Sequence, residues 1–274
     1  MLTSVALALT HARALGVDRL DAQLIVAHQL GQSRSWVIAH DDAALGSLQS
    51  DALQAAFARR AAGEPLAYVL GEKEFHRLLL NVNANVLVPR PDTEVLVDWA
   101  LELLAGMAGT TAPHVVDLGT GSGAIALAVK HGCPDAAVLA TDISAAALAV
   151  ALSNAQRLGL AVAFAQSAWW AALTDQRFDL VLSNPPYIAG VDPHLPALRH
   201  EPALALTPGG DGLAALREII EGAAAHMKPG AWLLLEHGYD QAEAVQALLR
   251  AYGFDGITTR RDLGGQQRCT GAHR

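Results

Sequence analysis

The stretch Val115-Val116-Asp117-Leu118-Gly119-Thr120-Gly121-Ser122-Gly123 constrains the fold of this chain more than any other. An apolar run ending on an acidic residue reads as a buried strand, and glycines at alternate positions let the backbone turn with φ above zero before a helix begins. The same alternation then repeats. Strand-length apolar runs at 138–142, 162–165, 179–183 and 232–236 are separated by helix-length stretches, and a last pair of runs lies near 257–259 and 268–270. Ser144 caps a predicted helix that reaches Leu158 and stops before Gly159, while 212–227 and 239–252 read as later crossovers ending near Gly230 and Gly253. The expectation is an α/β fold, a doubly wound parallel sheet of the Rossmann-like kind.

Ahead of this region, residues 1–63 read as short helices punctuated by glycine. The pattern predicts helices over 3–15 before Gly16, over 19–30 capped by Asp18 before Gly31, a short piece after Ser33, and one over 48–62 capped by Ser47 before Gly63. Leu24, Ile25, Leu30, Trp36, Leu53 and Phe57 read as the core of a small helical domain, which suits substrate recognition. Residues 64–90 form the expected connector, with a β-hairpin between 78–80 and 86–88. Pro89-Arg90-Pro91 halts extended structure, and Asp92 or Thr93 caps a helix with Val95, Leu96, Trp99, Ala100, Leu103 and Leu104 on one face. The α/β domain then occupies 91–274.

The chemistry concentrates at predicted strand ends. Ser183-Asn184-Pro185-Pro186-Tyr187 follows the apolar run 178–182. Neither proline has an N–H, so this segment offers carbonyl oxygens with almost no competing donors. Its natural guest is a planar NH2 group, held by the Asn184 side-chain carbonyl and the Pro185 backbone carbonyl, with Tyr187 offering a flat face. The other reading is a strand end followed by a proline turn. Gly119, Gly121 and Gly123 depart from the dinucleotide pattern because the third glycine comes one residue early, which favours S-adenosylmethionine over NAD. Asp142, about twenty residues on, either accepts the two ribose hydroxyls or caps the Ser144 helix. Trp169 either lies against adenine or covers an apolar edge, and Trp170 reads as packing. Arg90 is either a cation beside the site or a solvated loop charge. Glu201 is a further candidate, and His237 reads as structural.

Composition narrows the classes. A net charge of −8 argues against holding nucleic acid mainly through phosphates. Cys133 and Cys269 stand far apart without metal-ligand spacing, so neither a disulfide framework nor a metal site is expected, and the setting reads as cytoplasmic. The longest unbroken apolar run, 145–152, is far short of a membrane span, and the amino end lacks the basic segment of a signal peptide.

Several motifs together carry a family resemblance: Gly71-Glu72-Lys73-Glu74-Phe75, Val88-Pro89-Arg90-Pro91-Asp92-Thr93-Glu94, Asp117 through Ala126, Ser183 through Ile188, and Leu235-Glu236-His237-Gly238. In this order they resemble the PrmC/HemK family, methyltransferases that modify the glutamine of the Gly-Gly-Gln motif in peptide chain release factors. The likeness is specific from about residue 64 onward; before that it rests on helical character and length. It implies a class I methyltransferase sheet behind a small helical domain, S-adenosylmethionine as cofactor, release factors as partners, and no metal. It also implies catalysis by Asn184, Pro185 and Tyr187, with Pro186, Arg90 and Glu201 also touching substrate. Asp117, Gly119, Thr120, Gly121, Ser122, Gly123, Asp142, Trp169 and Asn184 would bind the cofactor. The chain departs from the family at Ala168, where relatives usually show Asp. Gly264-Gly265-Gln266 repeats the substrate string and reads as a chance loop. Two other readings are an adenine exocyclic-amine DNA methyltransferase, which the charge disfavours, and a non-catalytic cofactor-binding regulator.

Overall fold

The computed structural model describes residues 1–107 and 112–274. It divides into two compact units, Met1–Glu72 and Lys73–Arg274. The first holds α1 Val5–Ala14, α2 Arg19–Leu30, α3 Arg34–Ala39, α4 Ser47–Ala61 and α5 Leu66–Leu70. Their starts follow local chemistry: Ser4, Asp18 and Ser33 each accept a hydrogen bond from a first-turn N–H. Gly31 ends α2 in the left-handed region, where a side chain is costly. The cap expected of Ser47 falls one residue earlier. Gly46 is the cap, because Gln49 reaches back to accept from Gly46 N at 2.9 Å, so Ser47 already lies inside the helix. Ile25, Leu53 and Phe57 are fully buried and Leu30 and Trp36 pack against the same core, whereas Leu24 is only half-buried.

β1 Glu72–Phe75 and β2 Leu78–Asn81 form a two-stranded sheet. This replaces the hairpin expected between 78–80 and 86–88. The turn is His76-Arg77, both at positive φ (45° and 67°), the geometry of a two-residue turn whose twist matches its strands. Val88 N donates to Glu201 Oε2 at 3.0 Å, so it takes its partner away from β2.

The second unit continues with a 3-10 turn Pro91–Thr93, α6 Glu94–Gly106, β3 His114–Leu118, α7 Ala124–Gly132, β4 Ala137–Asp142, α8 Ala145–Leu158, β5 Ala163–Gln166 and β6 Phe178–Ser183. It ends with α9 Ala203–Leu206, α10 Ala214–His226, β7 Met227–Glu236, α11 Ala242–Ala251, β8 Asp255–Arg261 and β9 Gln267–His273. The seven-stranded sheet runs β5-β4-β3-β6-β7-β9-β8. β3 pairs in parallel with both β4 and β6, and β9 runs antiparallel to both β7 and β8. Chain order therefore reverses between β3 and β6, the place where open α/β sheets leave a crevice at their carboxyl ends. One core, containing Leu96, Trp99, Leu127 and Leu182, covers one face of the sheet; Val116, Val181, Ile219 and Leu233 belong to the core on the other. Asn154 of α8, fully buried, donates to Ser122 O at 2.9 Å and exchanges bonds with both backbone groups of Asn81. It thereby ties β2 to the glycine turn. No described helix is long and apolar enough to cross a membrane.

Candidate active site

A cavity of about 410 Å³ opens at the carboxyl ends of β3, β4 and β6. The glycine turn forms one wall. Gly119 N and Thr120 N both donate to Thr141 O, at 2.9 and 2.8 Å, which seats the turn on the neighbouring strand. Gly119, Thr120, Gly121 and Ser122 line the cavity. Gly119 adopts φ +76°, and a Cβ there would stand 3.3 Å from the Trp169 ring. Gly123 does not line the cavity; a Cβ on it would meet Leu127 at 3.0 Å and Ala151 at 3.2 Å, so its role is close packing at the start of α7.

Asp117 lies fully buried below the turn. Its Oδ2 accepts from Thr120 Oγ1 at 2.6 Å and Ala126 N at 3.3 Å, while Oδ1 has no partner. Burial pushes this carboxyl up to about 7 against those two hydrogen bonds. Asp142 lines the cavity and also braces the turn, accepting from Gly121 N at 2.9 Å and Ser144 N at 2.8 Å. Asp142 therefore stands in the cavity wall and also at the approach to α8. Trp169, at φ +45°, lines the cavity beside Ala168 with its ring against Gly119. Trp170 packs away from it, stacked on His226 and donating to Ile219 O at 3.0 Å.

The opposite wall comes from the end of β6. Asn184 and Pro186 line the cavity, Pro185 is buried, and Tyr187 turns its hydroxyl to Glu236 Oε1 at 3.2 Å. Burial, followed by the Glu236 charge, holds the Tyr187 phenol well above its usual range. The carbonyl of Tyr187 accepts from Gln241 Nε2 at 3.0 Å, and a Cβ on Gly212 would collide with that same oxygen. The proline segment is thus fixed from behind. Arg90 lines the cavity but is paired, donating to Glu201 Oε1 at 2.5 Å. Glu201 is itself buried and lies behind the cavity wall, accepting from Arg90 and Val88 N. His237 is fully enclosed, donating from Nδ1 to Gly238 O and accepting at Nε2 from Thr270, with burial lowering its basicity.

Two residues escaped the sequence reading. Thr93 was expected only as a helix cap, yet its hydroxyl accepts from Asn184 Nδ2 at 3.2 Å. Glu236, 1% exposed, ends β7 beside Tyr187. A carboxylate closing an apolar strand at the sheet's carboxyl edge was the available signal. The Gly-Gly-Gln string occupies the β8–β9 turn, outside the cavity lining.

The geometry agrees with the comparisons. Residues 94–212 match the family described as Methyltransferase small domain, and residues 1–71 match the PrmC N-terminal domain. A Release factor glutamine methyltransferase of Bordetella pertussis is 51% identical over 261 residues, covering 94% of this chain and 96% of the relative. One from Xylella fastidiosa is 46% identical over 267 residues, 96% of each chain. The N-terminal domain of human METTL16, solved with SAH, superposes with a TM-score of 0.55 at 18% identity, over 79% of this chain and 83% of that one; at that identity it speaks for the fold alone. With half of its residues shared along nearly its whole length, this chain belongs to the release factor glutamine methyltransferase family.

Proposed function

We propose that the chain transfers a methyl group from S-adenosylmethionine to the side-chain amide nitrogen of the glutamine in the Gly-Gly-Gln motif of cytoplasmic peptide chain release factors. One observation carries the reading: Asn184 stands in the cavity wall with its NH2 tied to Thr93, which leaves its carbonyl as the atom free to accept from a guest amide.

The cavity suits the cofactor. Its volume falls in the roughly 300–1,000 Å³ range of small-molecule sites, and a buried Asp117 oxygen is left without a partner under the glycine turn. Asp142 would hold the ribose hydroxyls, the 119–122 backbone would pass close beneath, Trp169 would face the adenine, and Asn184 would meet the cofactor at its edge. S-adenosylmethionine supplies an electrophilic methyl group on a sulfonium and leaves as the neutral thioether S-adenosylhomocysteine, while the methylated amide nitrogen gives up one N–H proton to water.

The protein's part is alignment. An amide nitrogen is a weak nucleophile because its lone pair is delocalised into the carbonyl. Asn184 Oδ1 and the Pro185 carbonyl accept its two N–H bonds, orient the nitrogen, and favour the positive charge it gains during transfer. Pro186 gives the pocket a flat side with Tyr187 next to it in the chain and anchored on Glu236, and Arg90, held by Glu201, lines the same cavity. Incubation with isotopically labelled S-adenosylmethionine, offering a release factor in one arm and adenine-containing DNA in the other, tests this. Label mapped to the Gly-Gly-Gln glutamine is the expected result, and label on DNA alone would overturn it.

A further inference from the structure

A threonine at the start of a helix ordinarily turns its hydroxyl onto the helix's own free N–H groups. Thr93, which begins α6, forms no such bond. It is 4% exposed, accepts from Asn184 Nδ2 at 3.2 Å, and its hydroxyl also favours the charged form of the Glu236 carboxyl beside it. Glu236 takes a hydrogen bond from the Tyr187 hydroxyl at Oε1, and its Oε2 has no partner. Asn184, Thr93, Glu236 and Tyr187 therefore form one polar series running from the cavity wall into the interior, bonded at Asn184–Thr93 and at Tyr187–Glu236.

A hydroxyl has one proton to donate. When Glu236 is ionised it can only accept, so Thr93 donates to it and the Thr93 oxygen is left to receive Asn184 Nδ2. That ordering turns Asn184 Oδ1 to the cavity. When Glu236 carries a proton it can donate to Thr93, whose own proton then swings toward Asn184 and favours the flipped amide, with NH2 facing the cavity. Only the first arrangement presents an acceptor to a substrate amide. We propose that Glu236 is a positioning residue that acts through Thr93 to set which end of the Asn184 amide faces the substrate, ionised Glu236 giving the competent orientation. The inference deepens the methyl-transfer reading and rests on it for the word competent.

The surroundings allow both states near neutral pH. Burial pushes the Glu236 carboxyl up to about 7, opposed by Thr93, Arg268 and Tyr187, while Asp92 adds to the rise. From β9 it faces Arg268 and Cys269. Arg268 divides its charge between Asp92 at 3.3 Å and Asp262 at 3.2 Å, and burial raises the Cys269 thiol far enough to keep it neutral. Tyr187 faces it from the segment after β6, and Asp92 and Thr93 from the turn before α6.

The test follows the Asn184 side-chain amide by ¹⁵N NMR in the full chain, without cofactor or substrate, over about two pH units on either side of neutrality. In the parent protein the resonances are expected to titrate with a midpoint near that of Glu236, and in Glu236→Gln the titration disappears. Thr93→Val uncouples Asn184 from the carboxyl, and Thr93→Ser restores the coupling. Tyr187→Phe removes a bond to the ionised form and moves the midpoint to higher pH, which keeps the proposal testable should Glu236→Gln fail to fold. In turnover assays Thr93→Val is expected to lower kcat at least tenfold, with most of the loss regained in Thr93→Ser, and Glu236→Gln is expected to lose the acid limb of the kcat profile. An Asn184 titration that persists in Glu236→Gln, or that is absent from the parent protein, overturns the relay. Asn184 titration without any glutamine methylation would instead sink the substrate assignment and leave the relay standing.

Discussion

The two walls of the cavity are built by different means. The cofactor wall is made from backbone and near neighbours in sequence: Thr120 bonds Asp117 three residues away, and Gly121 bonds Asp142 twenty-one away on the adjacent strand. The acceptor wall is made from side chains brought together only by the finished sheet. Asn184 meets Thr93 across 91 positions, Tyr187 meets Glu236 across 49, and Arg90 meets Glu201 across 111. A wall of backbone tolerates the loss of one side chain, because the turn survives it. A wall of side chains in series depends on every member, since removing one frees the next to rotate.

The sharpest way to break this contrast is Asn184→Ala. Turnover is expected to fall by about 100- to 1,000-fold, the range typical of removing one preorganised hydrogen-bonding group from a reacting centre. Affinity for S-adenosylmethionine should hardly change, because in the proposed arrangement Asn184 meets the cofactor only at its edge. Calorimetric binding beside single-turnover rates separates the two, and near-normal turnover would refute the amide pocket.

Asp142→Ala probes the other wall and should show the reverse split. Cofactor affinity is expected to weaken by about 1.5–3 kcal/mol, as for hydrogen bonds to a charged group, with kcat at saturating cofactor reduced far less. Asp142 also braces Gly121 N and Ser144 N, so thermal unfolding must be measured alongside. Unchanged affinity in a folded variant would remove Asp142 from the cofactor site.

The same contrast explains what the sequence made legible. The seven strands and the glycine turn stand out because each is written in a local pattern, an apolar run or a glycine spacing, and the observed strands contain or closely overlap the expected runs. Ser144 and Asp18 cap as their spacing implies. Thr93 carried the same local signal as those caps, and the signal misled, because a hydroxyl that satisfies a helix start equally satisfies a buried carboxyl when tertiary structure brings one near. Glu201 illustrates the converse: its charge and position suggested substrate contact, but its partners are Arg90 and a backbone N–H more than a hundred residues away. The apolar pattern marks the 78–80 strand but not its partner, 72–75. Two non-glycine residues at positive φ close that turn, a choice with no turn-type signature in the residues themselves.

The smallest expected effect concerns the Gly-Gly-Gln string that this chain itself carries. Gln266 is exposed in the β8–β9 turn, so exposure alone does not protect it from being a substrate. What protects it is how the turn is closed. Gln266 N donates to Asp262 Oδ1 at 2.9 Å, Gln266 O accepts from Asp262 N at 2.9 Å, and Arg268 holds the same Asp262 while reaching Asp92. A glutamine entering the pocket must extend its backbone into the cavity, and here that would break both Asp262 bonds and pull the turn off Arg268. At about 0.5–1.5 kcal/mol net for each ordinary bond and more for those to charge, the opened turn is a minor population. Intact-mass measurement after incubation with S-adenosylmethionine alone should therefore show no added methyl group. Asp262→Ala loosens the turn without touching the cavity, and it is expected to leave that result unchanged or to raise self-methylation to a trace. A methyl group mapped to Gln266 in the parent protein would mean that a sequence string suffices for the acceptor wall and that the turn's closure does not matter.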